Sequence, residues 1–473
     1  MSNIVFTLDG KRVEAEAGST ILEAAQQNGV EIPTLCHDPR LKPYAACRIC
    51  LVEVEGARGP MPACATPVAE GMVVRTKTDD LIKIRRMDLE LLLSDHYGDC
   101  VAPCKLACPA GIDIQGYIGL IANGQYTEAL KLIKESNPLP LVCGRVCPRF
   151  CETKCRRNLV DEPVAINALK RFVADYDQNN GGPYAPEPKP PTGHKVAIVG
   201  GGPAGLSAAY YLALEGHEVI IFEANPQLGG MLRYGIPEYR LPKAVLDKEI
   251  AIIAGLCNQV HCNVSLGKDF TIESLKGDGY EAIFIALGAQ ASQRMRVEGE
   301  DLPGVLSGIG FLRDIALGKK VSLGQKVAVI GGGNTAIDAA RTVLRLGAGE
   351  VTIVYRRSRD EMPASDEEIE QAEQEGIKLH FLAAPVKLRA RNGKVNSMEC
   401  IRMALGEPDS SGRRRPEPIA GSEFTVEVDT VIAAIGQTLD ASGIPQDGQM
   451  EFNRSGYIRV NEETMETSLE GVF

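Results

Sequence analysis

The chain of 473 residues is too long for one core and predicts roughly three or four domains. Lys+Arg total 51 against Asp+Glu 62, and the net charge of -11 argues against a nucleic-acid surface. No apolar run approaches the roughly 20 residues of a membrane span, and residues 1–18 lack the charged-then-apolar profile of a signal peptide. Of 14 cysteines, 11 fall between Cys36 and Cys155; only Cys257, Cys262 and Cys400 lie beyond, without partner motifs, and read as structural or free thiols. Cysteines grouped in this way in a long chain hold metal more often than disulfides, so a reducing, cytoplasmic setting is expected.

Residues 2–17 read as a β-hairpin turning at Asp9-Gly10. Thr20-x-x-Glu23 is a capping box for a helix from Ile21 to Asn28 that Gly29 ends. Cys36-x10-Cys47-x2-Cys50, a strand over Leu51–Val54 and then Cys64 follow. That order matches a β-grasp ferredoxin, and the four thiolates suffice for a 2Fe-2S cluster. A zinc site is the competing reading of the Cys47/Cys50 pair. The spacing resembles the N-terminal domain of the large iron–sulfur subunit of respiratory complex I and of iron-only hydrogenases.

A helical pattern over Asp79–Ser94 puts Leu81, Ile84, Met87, Leu91 and Leu92 on one face. It leads into His96-x3-Cys100-x3-Cys104-x3-Cys108-Pro, then Cys143-x3-Cys147-Pro-x2-Cys151-x3-Cys155. Seven cysteines and a histidine match the donor count of two 4Fe-4S clusters. His96 is either a capping or surface histidine or, by resemblance to the His-x3-Cys start of a four-iron site in complex I and hydrogenase subunits, a ligand. Between the groups, Ile112–Lys134 reads as helical and Asn137-Pro-Leu-Pro140 closes it. The block from Cys104 to Ile166 is similar to the N-terminal helical domain of the glutamate synthase small subunit family. That family includes dihydropyrimidine dehydrogenase and the large subunit of NADH-dependent ferredoxin:NADP oxidoreductase. The resemblance implies one cluster on Cys100, Cys104 and Cys155 and another on Cys108, Cys147 and Cys151. Where relatives place a Glu or Gln ligand this chain has Lys170, a poor donor to iron, and Cys143 is the natural replacement.

Gln178–Gly193 is a proline-rich linker by composition. Beyond it, the strand Lys195–Val199 runs into Gly200-Gly-Gly202-Pro-Ala-Gly205, a helix, and a second strand ending in Glu223. Such a loop brings backbone to a pyrophosphate at a helix N-terminus, and the acid takes ribose hydroxyls. With Gly229 and Gly230 the pattern resembles the FAD-binding half of two-dinucleotide flavoproteins. Gly230–Pro242 resembles the segment that lies near the flavin ring in the glutamate synthase small subunit family. A second unit repeats the design with Gly331, Gly333 and Ala336, and its second strand ends at Tyr355 with Arg356 and Arg357 following. Guanidinium groups in place of an acid favour a 2′-phosphate and predict NADP(H) rather than NAD(H). Two solvated arginines are the bland alternative.

The expected architecture is multidomain. It comprises a β-grasp 2Fe-2S domain (1–78), an α-helical double 4Fe-4S domain (79–177) and the linker (178–193). An α/β two-dinucleotide flavoprotein follows, with the NADP(H) unit (321–427) inserted in the FAD unit (194–320 and 428–473). Val428–Gly436 reads as a return strand, and Thr467–Phe473 as the lead-in to the family's closing strand. In that family the closing strand runs into an Ala-Gly-Asp that residues 1–473 do not include, so flavin binding by these residues alone is expected to be incomplete. The chain is expected to be an NADPH-linked oxidoreductase subunit moving electrons between NADP(H), FAD, two 4Fe-4S clusters, a 2Fe-2S cluster and a partner subunit. That partner carries flavin and NAD, as in a bifurcating transhydrogenase with ferredoxin, or is of formate dehydrogenase or hydrogenase type. A glutamate synthase small subunit and a non-enzymatic metal-binding scaffold are the alternatives.

Overall fold

A computed structural model describes residues 3–96, 98, 100–180, 183–445 and 448–473. Ser2 of the predicted hairpin, Tyr97 and Asp99 of the His96–Cys100 stretch, and Gly181 and Gly182 of the predicted linker lie outside the described residues. The chain divides into two compact units: residues up to Ser136 with Arg149–Asp177, and Asn137–Pro148 with Gln178–Phe473. The segment bearing Cys143 and Cys147, within the predicted helical domain, is assigned to the second unit.

In the first unit β1 (Asn3–Leu8) and β2 (Lys11–Glu16) form the predicted hairpin. Helix α1 (Ile21–Gln27) carries both capping-box bonds between Thr20 and Glu23. Strands β3 (Leu51–Val54), β4 (Met61–Pro62) and β5 (Val73–Arg75) complete a sheet of order β2-β1-β5-β3-β4. Strand β5 runs parallel to β1, and the other pairs are antiparallel. Phe6, Leu8, Ile21, Leu22, Val52 and Val74 fill its core together with Cys50 and Cys64.

Helix α2 (Asp79–Ser94) starts on the Thr78 cap, but its predicted apolar face is not buried: only Leu81 is, and Leu91 is 61% exposed. The helix meets the sheet through Leu81 and through Arg85, which donates to the carbonyls of Leu51 and Thr76. Helices α3 (Pro103–Ala107), α4 (Ile114–Ala122) and α5 (Tyr126–Lys134) follow. The single helix predicted over 112–134 is thus two, because Gly124 takes φ +75 and turns the chain. The turn lets α4 and α5 pack as a hairpin around Tyr117, Leu120, Ala129 and Ile133. Helix α6 (Pro140–Val146) belongs to the second unit, whereas α7 (Phe150–Thr153) and α8 (Ile166–Asn179) return to the first.

In the second unit, β6 (Lys195–Val199), α9 (Pro203–Leu214), β7 (Glu218–Glu223), α10 (Met231–Tyr234), α11 (Lys243–Leu256), β8 (Gln259–Cys262), α12 (Ile272–Gly277) and β9 (Ala282–Ile285) build a parallel sheet of order β8-β7-β6-β9. Its central strands read as unbroken apolar runs because helices or loops cover both faces. Gly471–Phe473 extends this sheet beside β9, with Ile283 N–H donating to Gly471 O and Phe473 N–H to Ile283 O.

After β10 (Ala291–Ser292), β11 (Val305–Ser307) and α13 (Gly308–Ala316), the second glycine unit appears: β12 (Lys326–Ile330), α14 (Asn334–Arg345), β13 (Glu350–Tyr355), α15 (Asp366–Gln374) and β14 (Lys378–Phe381). Strands β15 (Ala383–Arg391), β16 (Lys394–Pro408), β17 (Arg414–Pro418) and β18 (Phe424–Glu427) form an antiparallel sheet, and β19 (Thr430–Ala433) and β20 (Gln437–Thr438) follow. The second parallel sheet has order β11-β19-β12-β13-β14. Strands β11 and β19 sit in the second sheet, where β19 covers the inner edge of β12 and buries Val431 and Ile432. The chain crosses between sheets at the β10–β20 pair. Among the described residues, no helix is long and apolar enough to cross a membrane.

Candidate functional site

The four sulfurs of the N-terminal domain converge. Cys50 and Cys64 are buried beneath the loop holding Cys36 and Cys47. Burial, hydrogen bonding to Cys50 and the nearby Cys50, Cys36 and Cys47 sulfurs push the Cys64 thiol up to about 12. Burial also opposes ionisation of Cys47, yet the N–H groups around Ile49 and Cys36 outweigh it and hold that thiol below its ordinary value. Four crowded thiols cannot all ionise without a compensating cation, so the donor set fits an iron–sulfur group better than free cysteine. Among the described residues, no three His, Cys, Asp or Glu side chains are placed to hold a single ion.

In the helical part of the first unit, His96 Nε2 lies 3.7 Å from Cys100 Sγ, so this pair of predicted donors meets. Burial raises the Cys104 thiol, with further contributions from nearby Cys155 and Cys108. Cys104, Cys108 and Cys151 pack on the core that contains Tyr117. Lys170, at the position where the resemblance expects a carboxylate or amide ligand, is buried on α8. In the second unit Cys143 sits within α6 and Cys147 caps its C-terminus. Cys257 and Cys400 are inert thiols by environment, burial pushing them up to about 11 and about 12.

The first glycine loop lies between β6 and α9. A Cβ on Gly205 would stand 1.9 Å from Gly200 O, so the helix can pack this closely only on glycine. Gly202 caps α9, and beside it a Cβ would meet nothing nearer than Gly230 Cα at 3.8 Å, which leaves room for a pyrophosphate. Glu223 is 4% exposed, and its carboxylate accepts from Gly201 N–H at 2.8 Å and from Asn225. It thus ties the end of β7 to the loop, at the place where ribose hydroxyls are held in such units.

The second loop opens on a cavity of about 1040 Å3 lined by Gly331, Gly333, Thr335, Tyr355, Arg356 and Gly436, among others. Gly331 takes φ +141, and a Cβ there would collide with Ala434 O at 2.3 Å. Ala336 is fully buried where α14 presses on β12. Phe222 pairs with Val199 as Val354 pairs with Ile330, so Tyr355 occupies the register of Glu223 and Arg356 follows it. Arg356 is exposed to the cavity. Arg357 is not an open guanidinium: it donates Nε to Arg414 O at 2.7 Å and Nη2 to Asp409 Oδ2 at 2.6 Å. Both arginines line the cavity, Arg356 exposed and Arg357 buried with Nε and one Nη group already engaged.

The segment Gly230–Pro242 bridges the two glycine units. Lys243 Nζ donates to the carbonyls of Leu232, Ile236 and Leu241, although its burial pulls it down to about 8. Arg240 pairs with Asp338 at 2.7 Å on α14 and with Glu368 on α15. The Tyr239 ring lies under Arg341 and Arg345. Burial raises Asp338 to about 6 against the pull of Arg240. The partners of Tyr239 and Arg240 on α14 and α15 were not visible as a motif: they lie about a hundred residues or more along the chain from this strap.

Residues 194–473 match a family described as pyridine nucleotide-disulphide oxidoreductase. Residues 97–182 match dihydropyrimidine dehydrogenase domain II, 4Fe-4S cluster, and residues 2–79 a 2Fe-2S iron-sulfur cluster binding domain. The chain is 48% identical to the NADP(+)-dependent formate dehydrogenase subunit beta of Moorella thermoacetica, over 79% of this chain and 56% of that one. It is 50% identical to the NADPH-Fe(3+) oxidoreductase subunit beta of Geobacter sulfurreducens, over 73% and 52%. To the small chain of the NADPH glutamate synthase of Escherichia coli it is 38% identical, over 72% and 76%. The chain thus spans about half the length of the first two relatives.

Proposed function

The chain belongs to the pyridine nucleotide-disulphide oxidoreductase family, and from that premise we propose that it is the NADPH-linked FAD and iron–sulfur subunit of a multi-subunit redox enzyme. When bound, FAD exchanges a hydride with NADP(H) and single electrons with the clusters. The chain's own residues supply placement and charge. Gly200–Gly205 and Glu223 hold the first nucleotide, and Gly331, Gly333, Ala336 and Arg356 hold the second. The N-terminal domain is a β-grasp ferredoxin whose Cys36, Cys47, Cys50 and Cys64 carry the 2Fe-2S group. The donors from His96 to Cys155 carry the four-iron groups.

The observation that carries this reading is the contrast inside one chain. One loop ends on the buried carboxylate of Glu223, the other on the exposed guanidinium of Arg356. A carboxylate repels a 2′-phosphate and a guanidinium pairs with it. The partner is a redox subunit of the formate dehydrogenase or hydrogenase type, a reading supported by the relative that is 48% identical. A flavin- and NAD-binding partner, as in a bifurcating transhydrogenase, is the second assignment. A cytoplasmic setting agrees with thiols kept reduced for clusters.

The test is an anaerobic EPR spectrum before and after NADPH, with NADH as control. NADPH alone should give signals from reduced 2Fe-2S and 4Fe-4S centres. Zinc in place of iron, and no signal with dithionite, would sink the proposal.

A further inference from the structure

Arg357 lines the cavity but has Nε and Nη2 engaged by Arg414 O and Asp409, and the structure brings a further guanidinium, that of Arg413, to the same wall. Strands β16 and β17 are joined by a tight loop in which Asp409 N–H donates to Arg413 O and Gly412 N–H to Asp409 O. Two ion pairs pin this loop against the chain leaving β13: Arg357 to Asp409, and Arg414 Nε to Glu361 Oε1 at 2.7 Å. Glu361 is itself held by Ser358, whose hydroxyl and N–H donate to it. Arg413 lies between the two pins and lines the cavity with Gly333, Tyr355 and Arg356. Its Nε donates to Ser411 Oγ at 2.9 Å, and the Ser411 hydroxyl donates in turn to Asp409. Anchored through Nε, the guanidinium keeps both Nη groups for a ligand.

We propose that Arg413, on the β16–β17 loop, is a specificity residue that clamps the 2′-phosphate of NADP(H) together with Arg356, and that Arg357 and Asp409 are positioning residues that hold it there. The inference rests on the NADPH reading above and deepens it. Its physical basis is that an exposed cation is screened by solvent, whereas a guanidinium held in place through a buried pair loses less entropy per hydrogen bond to a dianion. The β15–β18 sheet thereby acquires a role beyond scaffolding: it delivers a charge that β13 does not.

The experiment measures equilibrium binding of 2′,5′-ADP and of 5′-AMP to the full-chain holoprotein, two probes that differ only in the 2′-phosphate. The wild type should prefer 2′,5′-ADP. Arg413→Ala should weaken 2′,5′-ADP by about tenfold or more, in line with a lost charge-assisted contact, and leave 5′-AMP unchanged. Arg413→Glu should weaken it further. Asp409→Asn should lower the ratio of the two affinities without changing 5′-AMP, which general loosening of the fold would not do. If the wild type prefers 2′,5′-ADP and Arg413→Ala and Arg413→Glu keep that ratio, the role of Arg413 is overturned and the NADPH reading stands. If the wild type binds both probes equally, the NADPH reading itself falls and takes this inference with it.

Discussion

The carboxylate of Glu249, 1% exposed on α11, accepts the backbone N–H of Val142 at 2.8 Å in the first turn of α6. Its other oxygen accepts Leu141 N–H at 2.9 Å. These are first-turn N–H groups with no partner inside the helix, and a buried anion at the positive end of α6 satisfies both charge and hydrogen bonds. Cys143 follows Val142 directly and Cys147 ends the helix, so a helix of the flavin unit fixes where two predicted cluster ligands stand.

Glu249→Ala removes both acceptors. It should destabilise the second unit by about 2–3 kcal/mol, the cost of orphaned buried donors to a charged group. It should also lower four-iron content while the 2Fe-2S signal persists, since Cys36–Cys64 belong to the other unit. Thermal melts with iron and sulfide analysis check this; wild-type values in both would refute it.

Cys143→Ser tests the replacement ligand. Loss of about one four-iron cluster per chain is expected, because a serine hydroxyl is a poor substitute for thiolate on iron. Unchanged iron would make Cys143 a structural thiol whose partner is Asn137, 3.6 Å from its sulfur.

The strap on α14 and α15 is the third target. Arg240 and Asp338 are 13% and 5% exposed, so Arg240→Met leaves a buried carboxylate short of its partner. A loss of about 3 kcal/mol is expected, partly recovered in Arg240→Met/Asp338→Asn. Additive losses in the urea-unfolding midpoints would show that the two residues do not act as a pair.

Glu375 gives a pH signature. The hydrogen bond from Arg345, with those from Arg341, outweighs burial and holds its carboxyl at about 2 against an ordinary 4.5. The unfolded chain therefore takes up the proton first, and this contribution is full above about pH 4.5 and is lost as pH falls toward about 2. The stability difference between wild type and Glu375→Gln should be constant from pH 7 to 5 and shrink below 4.5. A difference that grows on acidification would reverse the assignment.

Much of the site was legible because its chemistry is local in sequence. The Thr20 and Glu23 box, the loops at Gly200 and Gly331, and the strands that precede them depend on neighbours a few residues apart. The α2 face and the helix over 112–134 were misjudged for one reason: periodicity shows which residues share a face, not whether anything covers it, nor where Gly124 takes a positive φ. That β11 and β19 join the second parallel sheet was not legible, since an apolar strand is equally content in either sheet.

By itself the sequence determined which donor types lie close together along the chain: sulfur within Cys36–Cys155, glycine at two loops, a carboxylate at Glu223 and guanidinium at Arg356. Those follow from residue type and short spacing. Only the tertiary structure decided which charges are free to act. Arg357 and Arg356 are adjacent and chemically identical and both line the cavity, yet one is buried against Asp409, 52 residues on, and the other is exposed. Burial and long-range pairing set that difference, and neither is encoded in any local window of the chain.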